Sequence, residues 1–149
     1  MPFFICPNCK ERSIDHDRRE SLLDRQAVGC HHCGFGFLFE LMDDYYPGPN
    51  TGFVVCDQEG RILASGRGVF ELTGWPEPEL MGHDVVERFE LSGFEEGKNP
   101  VRLSLDWGVR RLGEHLTIRT RSGSRKPVQA DIFPAYDDDG GLLVAFTPQ

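Results

Sequence analysis

The stretch DQEGRILASGRGVFELTGWPEPELMG, residues 57–82, decides the fold, because it packs a turn, a strand and two short helices into very few residues. Gln58, Glu59 and Gly60 form a turn signal. The β-rich run GFVVCD (52–57) precedes it and RILAS (61–65) follows it, so the two runs predict a hairpin. GVFELTG then ends in glycine, and PEPELMG opens on prolines and acids and also ends in glycine. Both carry the start and stop signals of short helices.

Downstream, DVVERF (84–89) predicts one more helical turn. NPVRLSLDWG (99–108) predicts a longer helix with Asn99 as N-cap and Pro100 at its first position, placing Val101, Leu105 and Gly108 on one face. Three strands follow: EHLTIRTR, then KPVQADIFPA after the turn SGS, then LLVAFT after DDDGG. Leu116 and Ile118 alternate with polar neighbours, as do Val128, Ala130 and Ile132, so each strand has one buried face. The order β-β-α-α-α-α-β-β-β, with hairpins at both ends, is that of an α+β domain with helices packed on one sheet face.

These residues resemble a PAS domain. Asp57, Gly60, Ile62, Leu72, Gly74, Trp75, Glu79, Leu80 and Gly82 match the first half of that family's pattern. RSGSRKPVQADIFPAYDDDGGLLVAF (121–146) matches the second half, with Gly123 and Gly140 at hairpin turns. The resemblance spans about residues 48–147 and implies a five-stranded antiparallel sheet of spatial order 2-1-5-4-3, with helices forming a pocket over one face. Phe53, Trp75, Met81, Trp107 and Ile132, with Val55, Phe70 and other apolar residues, would line that pocket. An ordinary core needs the same residue types, and core filling outweighs a cofactor box. Where the family usually places Asn before the first helix, this chain has Gly66. The Gly-x-Asn-Cys-Arg-Phe-Leu-Gln run of light-sensing members is missing, and NPVRLSLDW lacks the histidine of haem-binding members. Light-sensing flavin and haem are therefore disfavoured, and any other organic cofactor is left open.

Upstream lies a different unit. Cys6 and Cys9 form one CxxC pair, and Cys30 and Cys33 a second after twenty intervening residues. Paired knuckles at this separation read as a four-cysteine metal site, in which tetrahedral Zn²⁺ takes all four thiolates and serves a structural role. Iron is the alternative metal. Neither pair is followed by histidine, as haem attachment requires, and no signal peptide points to a disulfide-forming compartment. His31 and His32 read as solvated knuckle residues. PFFIC and AVGC lead strand-like into the pairs, and FGFLFEL leaves the second with alternating phenylalanines at 35, 37 and 39. The segment is similar to a zinc ribbon. DDYYPGPNTG (43–52) breaks regular structure, which divides the chain into a ribbon (1–42), a linker (43–50) and a PAS-like domain (51–149).

Net charge is −8 over 149 residues, and residues 1–46 hold five Lys/Arg against eight Asp/Glu. Such a field repels phosphate backbones, so nucleic acid is disfavoured as a partner. No apolar run approaches the ~18 residues of a membrane helix, and with no signal peptide the expected location is the cytoplasm. No nucleophile with an identifiable base and no phosphate-cradling glycine loop stands out, so an enzyme is not expected. Cys56, at a strand end, reads as a small buried residue. The expected function is a sensory or signalling adaptor that binds a small molecule, a protein partner or a second copy of itself. The alternatives are a transcription regulator whose ribbon touches nucleic acid, and a thiol or zinc redox switch.

Overall fold

The computed structural model describes residues 3–5, 12–14, 39–41, 50–66, 68–134 and 141–149. The chain divides into two compact units, Met1–Pro47 and Gly48–Gln149.

In the first unit, β1 (Phe3–Ile5), β2 (Arg12–Ile14) and β3 (Phe39–Leu41) form an antiparallel sheet in the order β2-β1-β3. Phe3 lies opposite both Ile14 and Leu41. The PFFIC and FGFLFEL runs thus each contribute a strand, and a third strand starts the polar stretch after the first cysteine pair. Cys6, Cys9, Cys30 and Cys33, with the zinc ribbon read from them, lie outside the described residues.

The second unit is an antiparallel sheet in the order β5-β4-β8-β7-β6, the arrangement the PAS resemblance implies. Its strands are β4 (Gly52–Cys56), β5 (Ile62–Ser65), β6 (Arg111–Arg119), β7 (Arg125–Pro134) and β8 (Leu142–Pro148). Between β5 and β6 run α1 (Val69–Thr73), α2 (Glu77–Leu80), α3 (Val85–Arg88) and α4 (Pro100–Trp107). At the first hairpin, the Asp57 carboxylate accepts from the Glu59 and Arg61 N–H groups at 2.8 and 2.9 Å, and Gly60 takes φ 86°. Only glycine enters that region without steric cost. The Asn99 carboxamide caps α4 by accepting from Val101 N–H at 3.0 Å, as expected.

Alternate residues of the sheet build the helix-side core: Val54 and Cys56 of β4, Ile62 of β5, Ile118 of β6, Val128, Ala130 and Ile132 of β7, and Val144 and Phe146 of β8. Leu72, Leu80, Val85, Phe89 and Val101 close on them from the helices. Phe89 meets Phe146 edge-on, with ring centroids 5.4 Å apart. Each such fully buried side chain contributes about 1.5–3 kcal/mol of transfer free energy. The intervening residues Phe53 and Val55 of β4 and Leu143 and Ala145 of β8 are equally buried, so these two strands are apolar on both faces, whereas on β7 the buried Phe133 shares that face with the carboxylate of Asp131.

The loop where Gly66 replaces the family's Asn is held by other means. The Gly66 N–H donates to Phe53 O at 2.8 Å, and the Glu77 carboxylate accepts from Ser65 N–H at 2.9 Å.

Candidate functional site

The helices and the β6–β7 turn enclose a surface cleft of about 430 Å³ lined by Trp75, His83, Asp84, Glu87, Arg88, Glu90, Arg119, Thr120 and Arg121. Its geometry begins at the end of α1. Gly74, at φ 76°, caps that helix by donating to Phe70 O at 2.7 Å. The buried Thr73 hydroxyl donates to Val69 O at 2.7 Å and accepts from Trp75 N–H at 3.1 Å. The chain therefore leaves α1 in one direction, and Trp75 is delivered to the cleft wall.

The opposite wall is α3. The Asp84 carboxylate caps it by accepting from Val86 N–H at 2.9 Å and Glu87 N–H at 3.3 Å. Arg88, in its last turn, lays its guanidinium carbon 4.8 Å from the Trp75 ring centroid. A cation over an indole face at this distance is attracted by the ring quadrupole, worth about 0.5–1 kcal/mol at an exposed site and more when desolvated.

β6 supplies the floor and rim. Arg119 N–H donates to Phe89 O at 2.7 Å, and Arg121 N–H to Thr73 O at 2.9 Å, so the strand end is tied to both helices. The Arg119 guanidinium pairs with Glu90, whose other oxygen lies 3.9 Å from Arg125. Arg121 pairs with Glu79 at 3.1 Å. Glu90 sits at φ 44°, the left-handed region that a non-glycine residue enters at a cost of order 1–3 kcal/mol.

Two donors in this cleft are left over. Among the described residues, Trp75 Nε1 and Arg88 Nε are buried and have no hydrogen-bond partner. Each buried, unsatisfied group costs about 1–3 kcal/mol. Among the described residues, Arg119 and Arg121 have carboxylate partners, whereas Arg88 has the indole face.

A second cleft, of about 440 Å³, shares Thr120 and Arg121 with the first and is lined further by Phe70, Ser122, Ser124 and Lys126. The Thr120 hydroxyl is 2.7 Å from that of Ser124, and Lys126 Nζ donates to Leu72 O at 3.3 Å. Phe70 is 59% exposed beside it.

The residues read from sequence as pocket lining are scattered. Phe53 and Ile132 are wholly buried on opposite faces of the sheet. Met81 is 51% exposed just past α2, and Trp107 is 75% exposed at the last position of α4. Of the five, only Trp75 reaches the cleft. Arg88, Glu90, Arg119 and Thr120 escaped sequence reading because they come from separate elements and follow no motif spacing. The one available signal was the Asp84 N-cap, which fixes where Arg88 falls on α3.

Cys56 is buried, and its thiol pKa is pushed far above the usual value, first by desolvation and then by the nearby Asp57 and Asp84 charges. A thiol held protonated is a poor nucleophile.

A five-stranded antiparallel sheet in this order, with short helices over one face, is a PAS-like fold, and solved structures agree. The PAS domain of nitrogen regulation protein NR(II) from Vibrio parahaemolyticus aligns with a TM-score of 0.56 at 12% identity, over 68% of this chain and 92% of that one. A light-oxygen-voltage domain solved in work on a flavin analogue aligns at 0.54 and 25% identity, over 66% and 77%. The light-state dimer of the fungal blue-light photoreceptor Vivid aligns at 0.56 and 14% identity, over 70% and 81%. No family model matches the chain, and no curated protein does.

These findings correct the cofactor expectation. Light-oxygen-voltage and blue-light photoreceptor domains stand among the structural neighbours, which overturns the argument against flavin from a missing motif. No metal site is found among the described residues, where no group of three or more His, Cys, Asp or Glu could hold an ion; Cys6, Cys9, Cys30 and Cys33 lie outside them.

Proposed function

We propose that the chain is a sensory or signalling module whose PAS-like unit binds a small ligand or a protein partner and acts through non-covalent association, not catalysis. The observation that carries this reading is the pair of unused donors, Trp75 Nε1 and Arg88 Nε, in a cleft joining three elements of the fold. Buried polar groups without partners are rare in folded proteins, and each calls for an explanation such as a ligand. The cleft offers donors, charge and an aromatic face. Thr120, its one hydroxyl, engages Ser122 and Ser124 and not a general base. The PAS-like fold supports the reading at the level of architecture, and the net charge of −8 favours a protein or small-molecule partner over nucleic acid. No described helix is long and apolar enough to cross a membrane; a cytoplasmic location is part of the proposal.

Sedimentation over a hundredfold range of protein concentration, combined with a thermal-shift screen of small metabolites, tests it. Concentration-dependent association, or a ligand that raises the melting temperature, is expected. A strict monomer that no compound stabilises refutes the reading.

A further inference from the structure

We propose that the Trp75–Arg88 cleft recognises the oxyanion of a small ligand, a carboxylate or a phosphate, which draws the Arg88 guanidinium off the indole face. The inference rests on the ligand-binding reading above and names the chemistry of that site.

Both orphaned groups are donors. Neither can satisfy the other, so the missing partner must bring acceptors. An oxyanion carries several lone pairs on adjacent atoms, and the planar guanidinium fork matches it in two parallel bonds. Charge allocation around the cleft points the same way. Arg119 is taken by Glu90 and Arg121 by Glu79, so Arg88 is the lining arginine without a carboxylate partner among the described residues. The Asp84 carboxylate, at the start of α3, is committed to capping that helix. A cation held on an aromatic face is stored without an ion pair and can exchange that contact for a stronger, charge-assisted one. Neither orphaned nitrogen is open to solvent while the guanidinium lies over the ring, so binding must move Arg88, and the ligand's arrival becomes a change at the α3–β6 junction.

The acidic rim limits the ligand. Glu87 is exposed on the lip, and Glu90 stands behind Arg119. A polyanion would meet both, which favours a ligand with one anionic group and an otherwise neutral body.

The test uses the full chain carrying Trp107→Phe. The sequence has two tryptophans, so Trp75 becomes the sole emitter. Sodium acetate and inorganic phosphate are titrated in separate arms against sodium chloride at matched ionic strength. Emission and thermal midpoint are both followed. A saturable change with acetate, with phosphate or with both, and none with chloride, is expected. The arm that responds tells a carboxylate ligand from a phosphorylated one. In the same background Arg88→Gln should weaken binding about tenfold or more, as loss of a charged bidentate partner does. Arg88→Lys, which keeps charge without the fork, should weaken it less. Circular dichroism confirms that both variants are folded, and if Arg88→Gln is not, Arg88→Lys still carries the test through its weaker binding. No saturable response to either oxyanion, or midpoints equal in all variants, overturns the proposal. If that occurs while other compounds stabilise the protein or it associates with itself, the sensory reading survives and only the oxyanion site is lost.

Discussion

Replacing Gly52 by alanine tests how α1 is seated, and through it how Trp75 is placed. Gly52 opens β4 opposite Phe146 and has ordinary extended geometry, so its lack of a side chain is a matter of space. A Cβ there would stand 2.9 Å from Val69 N, 3.0 Å from Gly68 C and 3.1 Å from Val69 Cα. All three are backbone atoms at the start of α1, which cannot yield as a flexible side chain would. The first turn of α1 must shift by several tenths of an ångström, or the β4–β8 ladder must open. Overpacking of this kind costs about 1–3 kcal/mol. The reduced freedom of the unfolded chain returns about 0.4–1 kcal/mol. The midpoints of the two ranges leave a net loss of about 1.3 kcal/mol, or a melting temperature lower by roughly 5–10 °C for a unit of about this size. Both tryptophans lie in the second unit, so urea unfolding followed by their emission reads that unit alone. Gly97→Ala isolates backbone strain from crowding: nothing lies within 4 Å of its added Cβ, and its φ of 81° alone should cost about 1–2 kcal/mol. If Gly52→Ala is as stable as the parent, the close approach of α1 to β4 is wrong.

Phe89→Ala removes the edge-on partner of Phe146 and should cost about 3–5 kcal/mol, read as a lower urea midpoint with an unchanged slope. The Cys56 thiol should resist a disulfide reagent at pH 8 in the folded protein and react on unfolding, since burial and two nearby carboxylates oppose the thiolate. Its folded pKa is raised, so the contribution is fully present below the unfolded value of about 8.5 and is lost as pH rises above it. Stability of the parent should therefore fall more steeply between pH 8.5 and about 10 than that of Cys56→Ala, measured by urea titration, and parallel curves would refute this. Thr73→Val strands the Trp75 amide that its hydroxyl now satisfies and should cost about 1–3 kcal/mol, with a shifted Trp75 emission that distant core variants do not show.

The fold of the second unit was legible because its signals are local. Asp57 and Gly60 set the first turn, Asn99 and Pro100 open α4, and Val128, Ala130 and Ile132 mark the buried face of β7. β6 reads from Glu114 in sequence but begins at Arg111, because a bulge at Gly113 lets its N–H donate to the Asp131 carboxylate at 2.8 Å and carries pairing onward. That bond joins two neighbouring strands across 18 residues of sequence and leaves no trace in either stretch alone. Met81 and Trp107 were misplaced for a related reason. Apolar residues at the ends of short helices look like lining, yet the last turn aims them outward, whereas Ser104, a polar residue, is wholly buried because its hydroxyl bonds Val109 O. Apart from Trp75, the cleft was not legible. Trp75 follows a helix stop, Arg88 ends another helix and Arg119 ends a strand, and only the fold brings them around one cleft.

A two-dimensional ¹H–¹⁵N spectrum of the full chain, recorded with and without saturating acetate or phosphate, most directly tests whether this cleft is where the protein meets its ligand. A large shift of the Trp75 Nε1–H resonance is expected, with smaller shifts confined to His83–Glu90 and Arg119–Arg121. An unmoved indole signal, or shifts spread over the sheet and away from α3, would contradict it.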